Sequence, residues 1–243
     1  ALDVLMEAYE EEDKLFVKEA YVQALSMIDC SEYLPQLEVR LQELVAYDAP
    51  EEEKKHVQAE IRALQELLLQ KKGVKKHTFN GWNRSSEVLL LTIPAFRDAL
   101  AEEVTGKKKV LKSGVRTIVP DFETVMKIRT IQELLFVIHT QTEGNVLSAD
   151  PETLAAQLAE SDLMQILAET HKGDVPFCFR IGVSGAMSLE ERSIFSKRVA
   201  TAIEGAFERN LINSTSHYEV ELRLLQHREG GFVPLLKLYT LPD

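Results

Sequence analysis

Hydrophobic positions follow two different periods along this chain. Over residues 1–84 they recur at helical spacing, first as Leu15, Val17, Ala20, Tyr21, Ala24, Leu25 and Ile28, then as Leu34, Leu37, Leu41, Leu44 and Val45, then as Val57, Ile61, Leu64, Leu67 and Leu68. Polar breaks at Asp29-Cys30-Ser31 and Asp48-Ala49-Pro50 separate these helices, and Pro50 is placed to begin the third. No strand signal occurs in this part. Residues 71–82, with Gly73 and Gly81 among basic residues, read as a linker. Near residue 86 the period changes to two. Residues 88–93 read as a strand, 94–104 as a short helix, 109–119 as a hairpin turning at Lys112-Ser113-Gly114, 123–128 as a helix and 131–138 as a strand.

Asp150-Pro151-Glu152 starts another helix, with proline at its first turn, and Leu154, Leu158, Leu163, Ile166 and Leu167 carry the apolar pattern on to His171-Lys172-Gly173. Asp162 is placed to cap a second helix within that stretch. Residues 177–183 (FCFRIGV) alternate as a half-buried strand and break at Ser184-Gly185. Ser188-Leu189-Glu190-Glu191 fits a capping box, and Phe195, Val199, Ile203 and Phe207 then mark one helical face. Asn210, Asn213 and Ser214 end that helix. Residues 218–225 and 232–241 form a terminal hairpin turning at Glu229-Gly230-Gly231. The helix face should pack against Phe177, Phe179, Ile181, Leu222, Leu224, Leu236 and Leu238.

The order over residues 88–138 is β-α-β-β-α-β, which is ferredoxin-like. From about residue 150 the order helix, helix, strand, helix, strand, strand resembles the THUMP domain of RNA-modifying enzymes. The strings RIGVSG (180–185) and SIFSKRVA (193–200) carry that resemblance further. In THUMP proteins a ferredoxin-like domain commonly precedes the THUMP domain, so the similarity spans residues 85–243. It implies an α+β chain: an all-helical segment and linker (1–84), a ferredoxin-like domain (85–145) and a THUMP-like domain (146–243); the change of period near residue 86 predicts two α/β units with separate sheets. The helices of residues 1–84 look like part of a HEAT-type solenoid, whose few repeats lean on neighbours for burial. A start without methionine, directly in a helix, points to a piece of a longer chain.

By that resemblance the α/β pair grips structured RNA, usually a tRNA acceptor end. THUMP domains are fused to deaminase, thiouridine synthase or methyltransferase domains, and this arrangement is most like the methyltransferase class. The resemblance therefore implies S-adenosylmethionine for a full-length RNA methyltransferase, tRNA or rRNA, and no cofactor in this chain, which carries no glycine-rich loop with an acidic ribose partner. No catalytic residues are assigned.

Charge argues the other way. The chain carries 28 Lys+Arg against 39 Asp+Glu, a net −11; residues 1–84 hold 11 and 17, and residues 85–243 hold 17 and 22, so neither part is basic. Phosphate binding draws on local positive patches. The candidates are Lys107, Lys108, Lys109, Lys112 and Arg116 on the first hairpin, and Arg192, Lys197, Arg198 and Arg209 on or just after the long helix. Equally, a lysine run protects an exposed sheet edge, and helix cations form a solvated face with partners such as Glu191 and Glu208. The turn at Gly182 to Gly185 with the helix starting at Ser188 suits either an anion or a plain strand-to-helix connection. Trp82 suits packing better than base stacking.

Other chemistry finds little support. His56, His77, His139, His171, His217 and His227 show no metal-ligand spacing, and Cys30 and Cys178 sit alone, as buried thiols of a cytoplasmic protein would. There is no P-loop and no G-x-S-x-G. No apolar run approaches the ~18 residues of a membrane span, so no membrane role is expected. Two alternatives to RNA targeting remain: a protein-interaction scaffold, using the helical segment to dock a partner, and a small-molecule enzyme, which the lack of a catalytic constellation disfavours.

Overall fold

The structure, a computed structural model, describes residues 2–72 and 77–241. The chain divides into two compact units, Ala1–Lys76 and His77–Asp243. The first is helical throughout its described residues: α1 (Leu2–Glu11), α2 (Leu15–Ser26), α3 (Leu34–Ala46) and α4 (Glu51–Lys72). The long α4 packs against both α2 and α3. Leu25, Leu37, Leu64 and Leu67 are fully buried between them, as their spacing predicts, and so is Val22, which the predicted stripe missed, whereas Ala20, Ile28 and Val45 of the predicted stripes are exposed. An acidic side chain lies inside this core. Glu60 is completely buried, and it accepts from Tyr9 Oη at 2.6 Å and from Arg40 Nε at 3.0 Å. Burial, with the neighbouring carboxylate, pushes the Tyr9 hydroxyl far above its usual range, so it stays a donor.

The second unit begins at His77, not at residue 85. Its elements are β1 (Thr78–Phe79), β2 (Ser86–Leu91), α5 (Arg97–Glu103), β3 (Lys108–Leu111), β4 (Gly114–Val119), α6 (Phe122–Met126), β5 (Glu133–Val137), α7 (Pro151–Ala159), α8 (Leu163–Thr170), β6 (His171–Lys172), β7 (Phe177–Ser184), α9 (Leu189–Ala206), β8 (Leu211–Asn213), β9 (Val220–Gln226) and β10 (Phe232–Leu238). The β-α-β-β-α-β run and the helix, helix, strand, helix, strand, strand run both form as expected. The helix starts also follow local chemistry. Asp150 accepts from the Thr153 amide at 3.0 Å with Pro151 behind it, and Ser188 and Glu191 complete the capping box. Gly114 closes the first hairpin where a Cβ would lie 2.1 Å from the Leu90 carbonyl oxygen.

The expectation of separate sheets is corrected. One eight-stranded sheet runs through the unit in the order β3-β4-β2-β5-β10-β9-β7-β8. β10 pairs with β5, antiparallel, through Leu235↔Val137 and Leu236↔Phe136, joining the ferredoxin-like strands to the rest. An isolated bridge between Leu147 and Phe232 extends the seam. Local periodicity cannot reveal this pairing, because it lies about a hundred residues away in sequence. The reason for it is physical: β5 and β10 would each otherwise leave a row of unpaired amides and carbonyls. Along each strand alternate residues reach one helix-covered core, where Val88, Leu90, Phe136, Phe179, Leu222 and Leu236 meet Leu100, Leu154, Val199 and Ile203. The opposite face holds a smaller buried cluster of Leu89, Leu135, Val137 and Leu235.

Three further readings change. Residues 77–82 are not linker: β1 pairs with β6, and Trp82 is buried among Phe79, Phe122 and Phe136, at ring distances of 6.4, 5.2 and 4.8 Å. Gly73, the other glycine of that reading, lies outside the described residues. Residues 211–213 do not simply trail from α9 but form β8, parallel to β7, a strand too short to show a period. Asp162 stands at the start of α8 without capping it, because its carboxylate accepts from the His139 amide at 2.7 Å instead.

The predicted face of α9 packs as its spacing requires. Val199 and Ile203 are fully buried and Phe207 nearly so, while Phe195 is partly buried and stacks on Phe232 at 4.8 Å. Phe207→Ala should therefore destabilise the chain by about 3 to 5 kcal/mol in urea unfolding. A loss below about half of that would show that the site collapses around the smaller side chain.

Candidate nucleic-acid interface

The predicted cations fall into separate places. β3 is one edge of the sheet, and α9 packs over β7 and β8 at the other. From β4 to β7 is five strand spacings, roughly 24 Å at ~4.8 Å each. Lys112 and Arg116 thus stand far from Arg192, Lys197, Arg198 and Arg209, and a ligand touching both groups must span the sheet.

The hairpin group is itself divided. The register Lys108↔Thr117 and Glu87↔Ile118 puts residues 107–109 level with the start of β2, whereas Lys112 sits at the turn, at the far end of the strands. Lys107, Lys109 and Lys112 are exposed. Lys108 instead donates to the Ala101 and Val104 carbonyls, at 2.5 and 2.6 Å, and closes the C-terminus of α5. Arg116 makes a bidentate pair with Glu87, at 2.8 and 2.9 Å, which holds the Glu87 carboxyl below its usual range despite partial burial.

On the long helix, Lys197 is exposed and Arg198 reaches Glu152 at 3.4 Å. Arg192 folds back to donate to the Gly185 and Met187 carbonyls, at 3.3 and 3.2 Å. The glycine turn ahead of it is filled from within. The Ala186 amide donates to Gln226 Oε1 at 2.8 Å, and a Cβ on Gly185, whose φ is +154°, would meet the same side chain at 2.3 Å. With the capping box also formed, this turn is a strand-to-helix connection and not an anion cradle. Arg209 is partly buried just beyond α9, with φ +63°.

Two arrangements were not visible in the sequence. The first is a pocket of about 40 Å³ at the start of β2, lined by Trp82, Arg84, Ser86, Glu87, His139, Asp162 and Glu169 among others. His139 bridges its wall, with Nδ1 3.0 Å from Asp162 and Nε2 3.1 Å from Glu87, and Arg84 pairs with Glu169 at 2.7 Å. The second is a row of alternating charges across β7, β9, β10 and β5. Arg180 donates to Glu221 at 2.7 Å, Arg223 joins Glu221 at 2.7 Å to Glu133 at 2.6 Å, and Lys237 also donates to Glu133. Arg180 lies over the rings of Tyr218 and Tyr239, 4.1 and 5.0 Å from their centroids. Burial opposes ionisation of Glu133, but the hydrogen bonds from Arg223 and Lys237 outweigh it and hold its carboxyl at about 2.

His77 and Cys178 are buried within the second unit. His77 Nδ1 lies 2.9 Å from Glu219 and its Nε2 2.9 Å from the Asp174 carbonyl, with the ring stacked on Phe177 at 3.6 Å. Cys178 is fully buried beside Glu219, and burial pushes its thiol up to about 12, which leaves it unreactive. Among the described residues no group of three His, Cys, Asp or Glu side chains is placed to hold a metal ion, and no helix is long and apolar enough to cross a membrane.

No family model matches the chain, and no curated protein matches it. Among solved structures it is similar to TrmN from Thermus thermophilus, with 18% identity and a TM-score of 0.42 over 62% of this chain and 45% of that one. It is also similar to a predicted N6-adenine-specific DNA methylase from Listeria monocytogenes, with 12% identity and a TM-score of 0.43 over 64% and 40%. A 4-thiouridine synthetase in complex with RNA and ATP gives 17% identity and a TM-score of 0.42 over 63% and 42%. The chain spans less than half the length of each of these proteins.

The charge row has a consequence for acid stability. A carboxyl held at about 2, against its ordinary 4.5, contributes about 3 kcal/mol above pH ~4.5, and that contribution is lost as the pH falls through the folded value. Glu133→Gln removes the titrating group. The stability gap between the native chain and this variant, measured by urea unfolding, should narrow by about 2 kcal/mol from pH 6 to pH 3. A gap independent of pH would show that Arg223 and Lys237 do not hold Glu133 ionised.

Proposed function

We propose that this chain is an RNA-binding targeting module of an RNA methyltransferase, acting on tRNA or rRNA, with the catalytic domain outside residues 1–243. The observation that carries this reading is the succession of a β-α-β-β-α-β unit, its strands in the order β3-β4-β2-β5, and a helix, helix, strand, helix, strand, strand unit. That is the pair of units implied by the THUMP resemblance, with residues 85–145 as the ferredoxin-like part and 146–243 as the THUMP-like part. A tRNA acceptor end would be the RNA class bound. S-adenosylmethionine would belong to the catalytic part. The helical unit would serve as HEAT-like repeats that dock a protein.

The exposed cations Lys107, Lys109, Lys112, Lys197 and Arg198 are the phosphate contacts of this reading, with Arg116, Lys108, Arg192 and Arg209 behind them as positioning groups. The net charge of −11 favours a second reading, a protein scaffold without an RNA role.

A labelled acceptor-stem mimic with a 3′ overhang distinguishes the two. Binding should weaken with salt, and Lys109→Glu and Arg198→Glu should each lower the magnitude of the salt slope by roughly 0.7 to 0.9 per lost contact. Affinity unchanged in both variants, or no binding at low salt, would leave the scaffold reading.

A further inference from the structure

Helix α2 is apolar on two sides, and one of them is covered. Val22 and Leu25 face the core, with Lys18 buried beside them. The opposite side of such a helix ordinarily carries charged and polar residues. Here it carries Phe16, Ala20 and Met27, at spacings i, i+4 and i+11, with Gln23 as the polar residue among them, and all four are exposed, Phe16 by 63% and Met27 by 85%. Ile28, just past the helix end, is 39% exposed. Ala20 and Ile28 belong to the apolar stripe that the sequence assigns to a core, and among the described residues nothing covers them. Phe16 and Met27 stand about 17 Å apart along the helix. Between them the small side chains of Ala20 and Ala24 allow another helix to approach closely.

Charge distinguishes what can cover this face. Residues 1–33 carry nine Asp+Glu and two Lys. Lys18 is turned inward, donating to the Tyr9 carbonyl at 2.9 Å, so Lys14 is the exposed cation of this stretch. The hydrogen bonds that Glu19 and Asp29 accept come from the uncharged side chains of Gln23 and Ser31. Glu12 and Asp13 precede α2 close to Phe16, and Asp29 follows Ile28, so carboxylates stand at both ends of the apolar stripe. Two copies of this face pressed together would set like charges against each other. A partner with cations at both ends of its own apolar stripe would match it.

We propose that the outer face of α2 docks an amphipathic helix of a partner protein, one with an apolar stripe of about three turns and lysine or arginine at each end of it. The apolar stripe lies between Phe16 and Met27 over Ala20 and Ala24, and the cations meet Glu12, Asp13 and Asp29. The inference rests on the docking role proposed above for the helical unit and gives that role a chemistry; it does not depend on RNA binding.

Two labelled helical peptides of about five turns test it, both with leucine at i, i+4, i+7 and i+11, one with lysines and the other with glutamates at its two ends. Each is titrated with the full chain and followed by anisotropy. The lysine peptide should bind at least about tenfold more tightly at ~0.1 M salt, and its advantage should shrink at ~1 M. Phe16→Ser and Met27→Ser should each weaken its binding about tenfold, with the helical content by circular dichroism unchanged, because both side chains are exposed. Asp13→Lys combined with Asp29→Lys should transfer the preference to the glutamate peptide. Binding of neither peptide would overturn the docking face. Equal binding of both would keep the helical unit as a docking unit and overturn the basic partner. Self-association of the native chain in sedimentation, lost in Met27→Ser, would assign the face to a second copy and overturn the proposal as well. Acceptor-stem binding should be the same in all these variants, and its absence from the native chain while the lysine peptide still binds would remove the RNA reading alone.

Discussion

The second unit depends on two residue pairs, Leu235↔Val137 and Leu236↔Phe136, by which β10 closes onto β5. Without this join the chain would hold two sheets of four strands, each with a bare edge where β5 and β10 now meet. With it, a single helix-covered core runs from Val115 on β4 to Phe179 on β7. The pairing is short, and side chains on both faces reinforce it. On the helix face Phe136 and Leu236 are almost fully buried. On the other, Glu133 of β5 holds Arg223 of β9 and Lys237 of β10. Charges buried to this degree stabilise a fold only when every partner is present, so the row acts as a register lock: a slipped strand would strand a charge.

The same join explains how the candidate interface is laid out. A single sheet puts the β3 edge and α9 at its two ends, so cations that are about eighty residues apart in sequence stay far apart in space. The pocket at Trp82 lies on the β3 side of the join, at the start of β2 and beside α8. Its walls come from both sequence halves, with Trp82, Glu87 and His139 from one and Asp162 and Glu169 from the other. Phosphate contacts along the neighbouring strands would draw on screened charge.

The net acidity of the chain is compatible with such contacts where cations cluster locally. Many of the cations read as ligands are already committed within the protein: Arg116 to Glu87, Arg192 to loop carbonyls, Lys108 to a helix end. These contacts fix side-chain geometry at the cost of free charge. Of the exposed candidate cations, Lys107, Lys109, Lys112, Lys197 and Arg198 are left once Lys108 is taken up by the helix end, and so few make a modest salt dependence the natural expectation.

Local physics made much of the fold legible in the sequence. The 3.6-residue period marked α2, α3 and α4, the capping box at Ser188 and the Asp150-Pro151 pair marked the starts of α9 and α7, alternation marked β7 and β9, an apolar run marked β2, and glycine turns marked the hairpins that hold β4 and β10, because each signal lies within a few residues of its effect. The α9 face of Val199, Ile203 and Phe207 was readable for the same reason. What lay beyond reach was every feature made by distant partners. The β5–β10 join, the three-residue β8 and the β1–β6 pair carry no period of their own. Asp162 has the sequence of a helix cap and becomes a partner of His139 only because β5 ends beside α8. The Trp82 pocket and the charge row likewise exist only where side chains from separate elements converge, and convergence is a property of the packed sheet.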